Sequence, residues 1–174
     1  MANGYTRIAE ALGDDSSTTI SFTGIPSTYD HLILRISARS NANANFNSYS
    51  IQFNQDGNNN YYGGYIYFET SVNGGSSSAS STLTAGGVFY LCGSTSTSNT
   101  FSASELTIFN YKNTSYKKTI GTLTGAPNSG GTSGISYAGG VWNNTAALNR
   151  IDITSSSGYF FSGSTFRLYG ISNT

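Results

Sequence analysis

The sequence predicts an all-β protein, a jelly-roll-like β-sandwich of about eight to ten antiparallel strands with almost no helix. Three observations predict it. First, short segments alternate apolar and polar residues. In Asp30–Ser40, the residues Leu32, Leu34, Ile36 and Ala38 fall on one side of a two-residue period, and His31, Ile33, Arg35, Ser37 and Arg39 on the other. That is a strand with one face on a core. Second, no segment keeps apolar residues at i, i+3 and i+4 over three turns, the spacing an amphipathic helix requires. Third, only 9% of the 174 residues are charged, against about 25% in ordinary globular chains. The balance is rich in Ser, Thr, Asn and Gly, with 13 Tyr and 10 Phe among them. Aromatic residues favour strands, and the small polar ones favour the turns between them.

Taken in order, residues 1–17 read as an N-terminal arm in which Tyr5, Ile8 and Leu12 dock and Gly13-Asp14-Asp15 turns. Residues 18–174 read as a single sandwich domain. Thr18–Gly24 is a strand with Ile20 and Phe22 on one face. Ile25-Pro26 leads by an extended turn into the Asp30–Ser40 strand, which is expected mid-sheet. Asn41–Asn47 is a polar loop, and Tyr49–Asn54 a strand with Tyr49, Ile51 and Phe53 together. Asp56-Gly57-Asn58-Asn59-Asn60 is a turn of residues that tolerate positive φ. Tyr61–Thr70 is an aromatic strand in which Gly63-Gly64 is expected to mark a bulge. Asn73–Ser81 reads as a mobile Gly/Ser loop, Val88–Cys92 as a short buried strand and Gly93–Thr100 as a Ser/Thr loop. Strands follow at Ser104–Lys112 and Lys117–Gly125. Ala126–Gly134 is a long turn, and strands at Ile135–Asn143, Leu148–Thr154 and Ser164–Ile171 close the chain. The absence of a repeat at fixed period disfavours a propeller or β-helix.

Composition narrows the function. Eight basic residues balance eight acidic ones, and no basic patch extends beyond Lys117-Lys118, so nucleic acid is not an expected partner. The apolar runs are too short to span a membrane, and the N-terminus lacks the pattern of a secretory signal. Cys92 is the only cysteine. It allows no internal disulfide and suits assembly in a reducing cytoplasm.

Catalytic constellations are sparse, and the expectation is no enzyme and no cofactor or metal. His31 is the only histidine, and Asp30 beside it points to the other side of a strand, a poor orienting partner for a triad. Glu69, Glu105 and Asp152 are scattered carboxylates, whereas glycoside hydrolysis needs two that flank one bond. Asn54-Gln55-Asp56-Gly57-Asn58 lacks the spacing and closing Glu of a calcium loop. No phosphate-loop or dinucleotide fingerprint is present.

The densest aromatic cluster is Tyr61, Tyr62, Tyr65, Tyr67 and Phe68. Tyr65 and Tyr67 share a face opposite Ile66 and Phe68, so both faces of this strand are expected to be covered, one by the core and one by a partner. Tyr61, Tyr62, Tyr65 and Tyr67 are the candidate interface residues, since aromatic anchors dominate interface centres. Trp142 reads as a packing anchor at a strand end.

Five blocks, in order, resemble small virion proteins of tailed bacteriophages, aquatic ones especially. They are Tyr5-Thr-Arg-Ile-Ala-Glu10; Phe22–Tyr29 running into Leu32–Ser40; Ile51-Gln-Phe-Asn54; Trp142–Ala147; and Thr165–Ile171. The resemblance spans most of the chain apart from residues 55–104, and it brings no catalytic residues. It implies a virion surface protein and leaves open which part of the virion; the expected place is the outer capsid surface, after synthesis in the host cytoplasm. The expected role is capsid decoration (cement), with the phage major capsid protein and further copies of the chain, as a homotrimer, for partners. The alternatives are a tail-fibre or host glycan-binding module and, from another class, a polysaccharide-degrading enzyme.

Overall fold

The computed structural model describes residues 4–69, 73–80, 89–126 and 134–172. The described residues hold twelve strands and no helix: β1 Tyr5–Leu12, β2 Thr19–Thr23, β3 His31–Ala38, β4 Phe46–Phe53, β5 Tyr61–Glu69, β6 Asn73–Ser80, β7 Tyr90–Cys92, β8 Ser102–Phe109, β9 Lys118–Ala126, β10 Gly134–Trp142, β11 Arg150–Ser155 and β12 Thr165–Ile171. They form two antiparallel sheets, one of eight strands in the order β1-β12-β3-β8-β9-β10-β5-β6 and one of four in the order β2-β11-β4-β7. The sheets face each other as the expected sandwich.

The core lies between them and is built by the alternation that the sequence displays. Leu32, Leu34, Ile36 and Ala38 of β3 are buried, as are Ile20 and Phe22 of β2 and Tyr49, Ile51 and Phe53 of β4. From the other strands come Leu106, Ile108, Ile120, Trp142, Ile151, Ile153, Phe166 and Leu168. β3 sits third in the large sheet, flanked by β12 and β8, which places it mid-sheet as expected.

Three segments differ from the sequence reading. Within residues 1–17, the arm docks as a true edge strand: β1 pairs with β12, with a register slip between Arg7 and Ala9. Asn73–Ser80, read as a mobile loop, is the edge strand β6, in register with β5 from Tyr61↔Ser80 to Phe68↔Asn73. Gly and Ser are poor strand formers alone, and pairing to a long aromatic neighbour overrides that preference. Gly63-Gly64 marks no bulge, because the pairing with Gly140 and Gly139 runs uninterrupted. The turn expected at 126–134 and the start of the strand expected at Val88 lie largely outside the described residues.

Candidate functional site

The outer face of the large sheet is divided by chemistry. On β1, β12, β3 and β8 it is charged and internally paired. Arg7 meets Glu10 at 2.7 Å, Arg167 meets Glu10 at 2.9 Å and Arg35 meets Glu105 at 2.7 Å. The Glu105 hydrogen bond raises the Arg35 pKa above its ordinary value. The Arg35 guanidinium also lies over the rings of Tyr5 and Tyr169, at 5.2 and 5.5 Å. Tyr5 and Tyr169 therefore already share a cationic partner within the chain.

On β9, β10 and β5 the outer face carries no charge at all. Its outward positions are Tyr62, Gly64, Ile66 and Phe68 on β5, Ile135, Tyr137, Gly139 and Val141 on β10, and Thr119, Gly121 and Gly125 on β9. Tyr62, Ile66, Phe68, Ile135 and Tyr137 are 45–53% exposed. They are contiguous, because Phe68 pairs with Ile135, Ile66 with Tyr137 and Tyr62 with Val141 across the strands. Gly64, Gly139 and Gly121 align in one row. That row makes a shallow furrow of about 560 Å³ beside Ile66 and Tyr137. Singly exposed apolar residues are ordinary; here five lie together with no charge among them.

The structure separates the four candidate tyrosines. Tyr62 belongs to the exposed half-face. Tyr61 is a core residue: its ring stacks with Trp142 at 6.4 Å and its hydroxyl accepts from the Phe53 N–H at 2.8 Å. Burial raises its pKa. Tyr65 and Tyr67 share the inward face, as read, their rings 5.9 Å apart; Tyr65 packs on the main core and Tyr67 on Tyr90 and Cys92. The sequence reading missed Ile135 and Tyr137. Their alternation was visible, but the register that sets β10 beside β5 was not.

The scattered chemical candidates stay scattered. His31 accepts a hydrogen bond at Nδ1 from the Asn110 N–H at 3.1 Å and meets the Phe109 ring edge-on, while Asp30 pairs with Lys112 at 3.0 Å. Glu105 and Asp152 belong to different sheets. Asp152 is held by Arg150 at 2.8 Å and by the Ser21 hydroxyl at 2.5 Å. Cys92 is buried, which pushes its thiol pKa up and its reactivity down. The side chain of Glu69 lies outside the described residues. Asp56 forms a turn anchor in place of a calcium site: its carboxylate accepts from Trp142 Nε1 at 2.9 Å and from the side chains of Asn58, Asn60 and Asn144.

A second, smaller feature lies at one end of the sandwich. Arg39, 7% exposed, donates to the carbonyls of Ser94, Ser96, Thr97 and Thr100 and so gathers the whole Ser/Thr loop around its guanidinium. Beside it opens a cavity of about 280 Å³ lined by Ser94, Ser98, Asn99, Phe101, Phe161 and Ser162. The loop composition was visible in the sequence; the buried arginine organising it was not.

Compared with family models, curated proteins and solved structures, the chain finds no match.

Proposed function

We propose that the chain is a non-enzymatic structural protein of a bacteriophage virion, a capsid decoration (cement) protein that binds the assembled shell from outside. The observation that supports this most is the uncharged apolar half-face: of the nine large hydrophobic side chains exposed among the described residues, five lie together on β5 and β10 with no charge between them. Such a surface is built for a protein neighbour. The mechanism is mass action. A protein that binds only the assembled lattice stabilises it by an amount that grows with the logarithm of its free concentration over its dissociation constant.

The test is one stained gel of purified virions. A decoration protein gives a band of the same order of intensity, mole for mole, as the major capsid protein. A band corresponding to only a few copies per particle overturns the reading.

The Arg39 cavity favours a second reading, a tail-fibre module that binds host glycan. Phenyl rings beside hydroxyl and amide groups suit a sugar, whose faces are apolar and whose edges are polar. Under that reading the free protein binds host surface polysaccharide, and Phe161→Ala abolishes the binding.

A further inference from the structure

We infer that the apolar half-face is covered by a second copy of the same chain, packed face to face about a two-fold axis. The inference rests on the reading of this half-face as an assembly surface and names its partner.

Three observations converge on a like partner. The first is charge. The eleven described outward positions of β5, β10 and β9 contain no ionisable group other than the phenols of Tyr62 and Tyr137. Two copies therefore meet without like-charge repulsion, which a patch carrying even one Lys or Glu would impose on itself. The second is area. Five side chains at about half exposure offer about 500 Å² of apolar surface, taking about 200 Å² for each whole side chain. A standard interface takes about 800 Å² from each partner, and about 65% of a homodimer interface is apolar. The patch thus matches the apolar centre of one self-pairing.

The third is relief. The ridge formed by Ile66 and Tyr137 runs beside the furrow formed by Gly64, Gly139 and Gly121, one two-residue step along the strands. A two-fold axis parallel to these rows and midway between them places each copy's ridge in the other's furrow. The same surface supplies both knob and hole, which is the definition of an isologous contact. A trimer, expected from the sequence, needs two distinct complementary patches on each copy; the described surface presents one apolar patch, and its other half is internally ion-paired. The glycines serve this geometry. A Cβ added at Gly121 meets nothing within 4 Å, so the chain's own packing does not demand glycine there.

The test is sedimentation of the full chain from about 1 to about 100 µM, the range of a moderate self-affinity. The wild type is expected to sediment as a dimer at the upper end. Ile66→Asp combined with Tyr137→Asp is expected to raise the dissociation constant at least about a hundredfold, as loss of two central anchors does. Gly121→Val fills the furrow from outside the core and is expected to do the same with an unchanged circular dichroism spectrum; it decides the matter should the double variant misfold. Tyr5→Ser, on the charged half, is expected to leave the dimer intact. A wild type that stays monomeric at 100 µM overturns the inference, as does a dimer or trimer that survives Gly121→Val. A monomer that still pellets with capsids overturns this inference alone, and a dimer that does not pellet overturns the decoration reading alone.

Discussion

Trp142→Ala is expected to lower the free energy of unfolding by about 3–5 kcal/mol, the range for deleting a fully buried aromatic side chain. Trp142 is completely buried between Phe53, 5.7 Å away, and Tyr61, 6.4 Å away. Its loss also removes one donor from the Asp56 carboxylate. Trp142→Phe keeps most of the apolar volume but not the donor, and is expected to cost about 1–3 kcal/mol. The Asp56 carboxyl shows the same network through its pKa. Burial pushes it up, but hydrogen bonds from Asn60, Trp142, Asn58 and Asn144 outweigh that and hold it well below the ordinary carboxylate range. A carboxyl depressed in the folded state contributes stability that is fully present above its unfolded pKa of about 3.9 and is lost as pH falls through the folded value. Urea titrations at falling pH are therefore expected to show a shallower acid loss for Asp56→Asn than for the wild type.

Lys118→Ala is expected to cost about 3 kcal/mol or more, since it removes three hydrogen bonds donated by a charged group, at about 1.5–3 kcal/mol each. The Lys118 side chain is fully buried, and its ammonium donates to the carbonyls of Asn113, Tyr116 and Thr145. It lies 5.8 Å from the centre of the Trp142 ring. It thereby ties the turn after β8 to the segment after β10. Burial lowers its pKa. Between the folded value and the unfolded value of about 10.4, the unfolded chain binds more protons, so stability rises with pH across that window. Lys118→Met retains the apolar stem and loses this rise. Unfolding titrations of both proteins in mildly to strongly alkaline buffer check it.

Alternation made the sandwich legible. Leu32, Leu34 and Ile36, or Tyr49, Ile51 and Phe53, announce their buried face by spacing alone, because side chains on a regular strand alternate. β1 and β6 were not legible, since their place depends on pairing with β12 and β5 rather than on their own residues. The candidate site was half legible for the same reason. Period two distinguishes Tyr61, Tyr65 and Tyr67 from Tyr62, Ile66 and Phe68, but a single strand does not say which set faces the core. Trp142 resolves it: the pairing Trp142↔Tyr61 brings the two rings to the inner face and turns Tyr62 outward. Only the register then places Ile135 and Tyr137 beside Phe68 and Ile66. Arg39 and Lys118 look like surface residues in a sequence. Each is buried because loop carbonyls converge on it, a long-range arrangement that composition does not encode.

The central claim is that the half-face pairs two charge-poor sandwiches by apolar contact and so builds the unit that stabilises a shell. It is tested most directly by heating capsids stripped of the protein, with and without its return, in molar salt. At that ionic strength charges reach only about 3 Å while apolar burial persists. The account predicts that re-added wild type pellets with the capsids and raises their rupture temperature, and that Ile66→Asp with Tyr137→Asp does neither. Stripped capsids as robust as decorated ones, with free protein binding host glycan instead, would contradict it.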